Sequence, residues 1–277
     1  MVKRLLPVAV LIACIVAPLQ AELKVVSRMD VRKVAQPDPG NPFLAMVGAA
    51  MAQQFEEMSG LVTTTVIGDG VIRTEMSRPM TGLPEGTITI MRVDGTMLGI
   101  NPTDETYFTA AMPDVSQLAA AGMVPTVTIE RTGEFSTLLE YRVERVMLQM
   151  TMPLPIPPEA REQLPAGLPS EVSISIENWT AEALEPYGTK MLRGNPVMAA
   201  MGLEATADIG FALRQIMRSE LFAGYEMETT VLSVAEEDLP DSLFEVPDGY
   251  REVPPPLGLG RGGGSPRLEI DKPTDAR

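Results

Sequence analysis

The sequence predicts an α+β fold: a curved antiparallel β-sheet of half-barrel form, with helices covering its concave face. Three observations predict it. From Leu61 to Phe108 apolar and polar residues alternate with period two, interrupted only by turn residues. Two Asn-Pro pairs, Asn41-Pro42 and Asn195-Pro196, each open a Met- and Ala-rich stretch with apolar residues at helical spacing. The run 137–152 also changes phase: Tyr141 and Val143 are apolar at odd numbers, whereas Val146, Leu148, Met150 and Met152 are apolar at even numbers. A one-residue shift turns every side chain over, so a β-bulge is expected near Arg145 to Met147, bending the strand and curving the sheet.

The chain opens Met1-Val2-Lys3-Arg4, continues with the apolar run 5–16 and reaches Pro18-Leu19-Gln20-Ala21. These are the charge, the apolar core and the small cleavage residue of a secretory signal, residues 1–21. The run is short of the ~20 residues of a spanning helix, so the processed chain is not expected to be an integral membrane protein. The implied address is periplasmic or secreted, in a bacterium. Leu11-Ile12-Ala13-Cys14 also fits the box at which bacterial lipoproteins are cut and acylated. Cutting there leaves a signal under ~15 residues and an apolar mature end, so cleavage after Ala21 is preferred and anchoring at Cys14 is the alternative. The net charge is −15, and loss of Lys3 and Arg4 makes the mature chain more negative still. Such a surface repels nucleic acid and anionic headgroups.

Residues 22–253 read as one domain. Leu23, Val25, Met29 and Val31 alternate with polar residues in an opening strand that ends at Pro37 to Gly40. Phe43, Val47, Met51, Phe55 and Met58 mark the first helix, stopped by Ser59-Gly60. A meander of three or four strands follows. Its turns are Gly68-Asp69-Gly70, Asp94-Gly95 as a type I′ pair, and Asn101-Pro102-Thr103-Asp104. After a short helical segment, Asp114 to Ala121, a strand from Thr126 to Arg131 leads through Thr132-Gly133 into the long strand 137–152. Prolines from Pro153 to Pro169 make a stiff connector, before Val172, Ile174 and Ile176 form a strand ending at Trp179. The second helical region carries Ile209, Leu213, Ile216 and Met217 on its later apolar face. A last strand begins with Tyr225, Met227 and Val231, and Leu243 to Pro247 closes the domain. The Pro- and Gly-rich tail 254–277 is expected to be disordered.

The absence of histidine, with the only cysteine inside the signal, excludes Ser-His-Asp and Cys-His catalysis and His/Cys zinc sites. Glu56-Glu57 and Glu236-Glu237 are sequence neighbours that point apart, not a catalytic pair. No enzymatic activity, cofactor or metal is expected. Met147, Met150 and Met152 could offer thioethers to Cu(I), but their strand phase makes them core residues. Met46, Met51 and Phe55 of the first helix, with Met198, Met201, Ile209, Leu213 and Met217 of the second, are the candidate lining of an apolar groove. A groove of this kind would bind an apolar or acyl-bearing ligand without catalysis. The alternative is a structural or protein-interaction component of the cell envelope, with no small ligand.

Arg92-Val93-Asp94, Asn101-Pro102 with Tyr107, Trp179 and above all Leu243-Phe244-Glu245-Val246-Pro247-Asp248-Gly249-Tyr250 carry a resemblance. Over Glu22 to Val253 the chain resembles the secreted bacterial domain-of-unknown-function family forty-four twelve, which is related in architecture to periplasmic lipoprotein carriers of the LolA type. The resemblance implies a curved antiparallel sheet whose concave face holds acyl chains under helical lids, and it carries over no catalytic residues. The proline segment 153–169 and the glycine-rich tail depart from many members of that family.

Overall fold

Alternating runs become strands wherever turn chemistry lets the chain reverse. The structure, a computed structural model, describes residues 22–35, 55–79, 86–111, 125–153, 171–193, 209–222 and 224–256. Its strands are β1 (Glu22–Lys33), β2 (Leu61–Ile67), β3 (Val71–Met76), β4 (Ile88–Arg92), β5 (Thr96–Asn101) and β6 (Thr106–Ala111). Then come β7 (Thr126–Leu138), β8 (Tyr141–Pro153), β9 (Glu171–Ala181), β10 (Phe211–Ser219), β11 (Tyr225–Glu237) and β12 (Arg251–Glu252). All join one open 12-stranded sheet in the order β12-β6-β5-β4-β3-β2-β1-β11-β10-β9-β8-β7. Every pairing is antiparallel except the short β12 to β6 pair. The opening strand thus lies in the middle, with Glu22 opposite Glu237 and Lys33 opposite Tyr225.

The sheet cannot be flat. From β6 to β7 is roughly 48 Å across the strands at ~4.8 Å each, and the linker must also run the length of the sheet, a diagonal of about 60 Å. The chain from Ala111 to Thr126 reaches only ~50 Å fully extended. Curvature is therefore a condition of the connectivity.

The meander from Leu61 onward has five strands, β2 to β6, where three or four were expected. Gly70, at φ +69°, turns β2 into β3 as the sequence indicated. The Asp94-Gly95 turn is different from the type I′ expectation. Gly95 alone is left-handed, and its N–H donates to the Arg92 carbonyl at 3.0 Å, the geometry of a type I turn followed by a left-handed glycine.

Three further expectations are corrected. Residues 209–217 are not the end of a helix: Leu213, Ile216 and Met217 lie in β10, with Ile209 just before it. The β9 to β10 register shifts between Ala212 and Arg214, and around this bulge β10 packs Leu213 and Met217 toward the α1 clusters but buries Ile216 on the other face, opposite Glu177 and Glu228, which imitates helical spacing. The turn into the long strand is not Thr132-Gly133. β7 runs on to Leu138, and Leu139-Glu140 form a two-residue hairpin with φ of 51° and 70°. Finally, β8 keeps unbroken register with β9 from Val143 to Pro153, so the expected irregularity at Arg145 lies in the neighbouring strand, between Arg131 and Phe135 of β7. The phase change in β8 has another cause: its two faces are buried at different ends, Val143 in one cluster and Val146, Leu148 and Met150 in another.

The predicted first helix is described only in its last turn, 55–58, which ends at Ser59-Gly60; Arg78 closes it by donating to the Ser59 carbonyl at 2.5 Å. Asp114 to Ala121, 154–170, 194–208 and 257–277 lie outside the described residues. A helix that the sequence did not announce, α1 (Glu185–Arg193), follows β9. Leu184, Tyr187 and Met191 pack on Leu23, Val25, Ile67 and Leu213, while Leu192 packs on Val146, Leu148 and Ile176. After β11 the chain crosses the other face as a strap. Phe244 is buried, Arg92 donates to its carbonyl at 3.0 Å, and Val246 and Tyr250 pack on Ile90, Leu98 and Ile100. Val253 then donates to the Tyr107 carbonyl at 2.8 Å, covering the edge of β6.

Gly99 has a specific neighbour. The Phe108 ring from the adjacent strand lies directly over it, filling the place of a side chain. Gly99→Ala is expected to cost about 1–3 kcal/mol in urea denaturation, and Gly99→Ala with Phe108→Leu to recover part of that loss. Equal stability of Gly99→Ala and wild type would show that the ring moves aside freely.

Candidate functional site

Register places four rows of side chains on one face of β1 to β6. Leu23, Ile67, Ile72, Met91, Met97 and Ala110 form the first; Val25, Thr65, Thr74, Thr89, Gly99 and Phe108 the second. Ser27, Thr63 and Met76 follow, then Met29 and Leu61. None is charged. The rows enclose a patch of five half-buried hydroxyls, Ser27, Thr63, Thr65, Thr74 and Thr89. Ser27 Oγ and Thr63 Oγ1 are 2.8 Å apart, but Thr65 Oγ1 and Thr74 Oγ1 are 3.4 Å apart and the Thr89 hydroxyl is 3.5 Å from the Thr74 carbonyl. These are long contacts that leave hydrogen-bonding capacity unspent. Thr63, Thr65, Thr74 and Thr89 were overlooked in the sequence because threonine suits any strand; their shared odd or even phase with the apolar residues was the available signal.

Farther along the same face, Asn178 and Gln215 are hydrogen-bonded at 3.0 Å. They floor a cleft of about 100 Å³ beneath α1, walled by Leu148, Ile176, Met191, Leu192, Ile209 and Phe211. Of the candidate groove residues, Ile209 and Met217 meet in the cluster beside this cleft, while Leu213 is buried with Leu23 and Val25. Phe55 lies at the opposite end, edge-on to Phe222 at 5.5 Å and tilted against Tyr225 at 5.3 Å. Met46, Met51, Met198 and Met201 lie outside the described residues.

The opposite face from β1 to β7 carries a continuous ion network instead. Arg32 meets Glu226 at 2.8 Å and Glu228 at 2.6 Å; Arg214 meets Glu228 at 2.6 Å, and Arg218 meets Glu226 at 2.5 Å and Glu177 at 3.6 Å. Arg145 joins Glu177 at 3.2 Å to Glu134 at 3.0 Å, and Trp179 Nε1 donates to Glu177 at 3.2 Å. The acids lie beneath the arginines, Glu226 with 6% and Glu177 with 11% of the side chain exposed. Burial pushes the Glu177 carboxyl up, but hydrogen bonds from Arg145 and Trp179 and the charges of Arg145 and Arg218 outweigh it and hold it below its ordinary value. Every acid here is matched by a guanidinium, so the arrangement is a structural lock. Among the described residues no group of His, Cys, Asp or Glu could hold a metal ion, and no helix is long and apolar enough to cross a membrane.

No family model matches the chain, so membership of family forty-four twelve is not shown, and no curated protein matches. Among solved structures the chain is similar to the crystal structure of LolA superfamily protein NE2245 from Nitrosomonas europaea, with 9% identity and a TM-score of 0.30. That alignment covers 81% of this chain and 90% of the other.

A carboxyl held low in the folded state contributes stability above its unfolded value near 4.5, and that stability is lost as pH falls through the folded value. Thermal melts followed by circular dichroism are expected to show Tm dropping below about pH 4.5. Glu177→Gln should lower stability at neutral pH by about 1–3 kcal/mol and flatten the acid limb. An unchanged acid limb would place the sensitivity in other carboxyls.

Proposed function

We propose that the protein is a noncatalytic binding protein of the bacterial periplasm or its secretions that takes an apolar or acyl-bearing ligand on the concave, helix-covered face of its sheet. The observation that supports this reading is the uncharged face of β1 to β6, with under-used hydroxyls at its centre and apolar rows on either side. Apolar rows bury methylenes at about 0.8 kcal/mol each, and the hydroxyls suit the carbonyl oxygens of an ester or amide. The cleft under α1, at about 100 Å³, is smaller than the ~300–1,000 Å³ of ordinary ligand pockets and would hold only one end of such a molecule. The groove of the reading is therefore the space over the hydroxyl patch, with Phe55 at one end and α1 at the other.

Native mass spectrometry of the mature protein from periplasm, followed by organic extraction, tests this. The expected result is a bound, extractable apolar mass that Met97→Glu removes while the far-ultraviolet spectrum is kept, because half-buried Met97 tolerates a charge that the ligand face does not. A clean apo mass that stays unchanged after incubation with fatty acid and phospholipid would overturn the reading.

A further inference from the structure

We propose that the end of the sheet where β1 begins and β11 finishes is a docking surface for a protein partner presenting apolar side chains between basic ones. This goes beyond the ligand reading and uses different residues. Leu139 and Leu232 are large apolar side chains left 40% and 42% exposed, and both border one surface basin of about 610 Å³. Its remaining lining is Glu140, Tyr141, Ser233 and Val234. Tyr141 and Val234 also pack on the core, so the floor is held from within while the two leucines stand at its edge.

Both leucines are held out by backbone irregularities. Leu139 has φ 51° in a two-residue turn that suits asparagine or glycine; a leucine there is strained, and burial within the chain recovers little of that cost. Leu232 is the extra residue of a bulge, skipped where Val26 pairs with Ser233 and Ser27 with Val231. Strain and bulging that place apolar side chains in water are informative because nothing in the folded chain gains by them.

The surroundings select the partner. Glu140 lies on the basin, and Glu236 follows Val234 on the same face, where it accepts a hydrogen bond from Tyr187, while Glu237 and its partner Glu22 face the other side of the strand end. Lys24 is tied to Glu237 at 3.5 Å, and Arg142, one residue beyond Tyr141, faces the other side and stacks over Phe135 at 4.0 Å. An acidic rim on a chain of net charge −15 repels an anionic bilayer and attracts a basic segment, whose apolar side chains the leucines would contact.

The test uses the full mature chain and a synthetic amphipathic helical peptide of Lys and Leu, read by fluorescence anisotropy. Binding that weakens with salt is expected, and Leu139→Asn with Leu232→Ser should lower affinity about tenfold or more. Leu139→Asn alone should raise Tm, since asparagine tolerates positive φ, so weaker binding by that variant is not a folding defect. Absence of peptide binding, or equal binding by wild type and double variant, overturns the proposal. Binding to phosphatidylglycerol vesicles in place of the peptide overturns it as well. The ligand reading stands or falls separately, because neither leucine belongs to the uncharged face.

Discussion

The pairing of β1 with β11 is the constraint on which the rest of the sheet depends. This seam is the strand pairing that joins the β1 to β6 side to the β7 to β11 side, and α1 and the strap to β12 span the same division. The seam runs the whole length of β1, from Glu22 opposite Glu237 to Lys33 opposite Tyr225. It is secured differently on its two faces. On one, Leu23 and Val25 share a core with Val231. On the other, Arg32 reaches across to Glu226 and Glu228, residues 194 or more positions away in sequence. Contacts of such separation close a long loop, so their entropic cost is lowest once the intervening strands are ordered, and the seam couples the two sides of the sheet.

Joining two meanders in the middle creates a sheet with too much apolar area for one cover. α1 packs on one face, and the strap ending at β12 covers the other only as far as β6 to β3. Beyond the strap the ion network takes over. Burying Glu226 and Glu177 under arginines is no gain over an apolar core in itself, but removing one partner leaves a buried charge, so the network punishes misregister. This division leaves the face of β1 to β6 free of any electrostatic task, and its hydroxyls and methionines are not needed to bind the strands together.

Much of the sheet was legible in the sequence because alternation and turn residues agreed. Leu23 to Val31, Gly68 to Gly70 and Asn101 to Asp104 each combine a periodic run with a residue suited to its turn. What misled were positions where the backbone departs from its own statistics. Ile209, Leu213, Ile216 and Met217 are spaced as on a helix because β10 packs Leu213 and Met217 on one face and buries Ile216 on the other. Leu139-Glu140 hides a hairpin because neither residue advertises positive φ. α1 carries Pro186 and Gly188 in so short a stretch that no helical period stands out; it forms because Leu184, Tyr187 and Leu192 have cores to enter. The site was less legible than the fold. Residues as distant as Ser27 and Thr63, or Asn178 and Gln215, become neighbours only through register, which a single sequence does not state.

The misread positions also differ in what they accomplish, and that difference bears on function. The bulge at Ala212 to Arg214 turns Leu213 into the core, so packing accounts for it. The left-handed turn at Leu139 and the bulge at Leu232 have no such return, since each ends with a leucine in water. A curved sheet needs irregularities, but it does not need them to carry exposed leucines beside acidic residues. Stability would favour asparagine at 139 and a polar residue at 232. The departure from that optimum is local to one end of the seam, where the start of β1, the β7 to β8 hairpin and the end of β11 converge. A surface there is fixed to the seam through Val234, which pairs with Val25, and its leucines are not among the hydroxyl-patch residues, so a partner on them would leave the ligand residues of the reading uncovered.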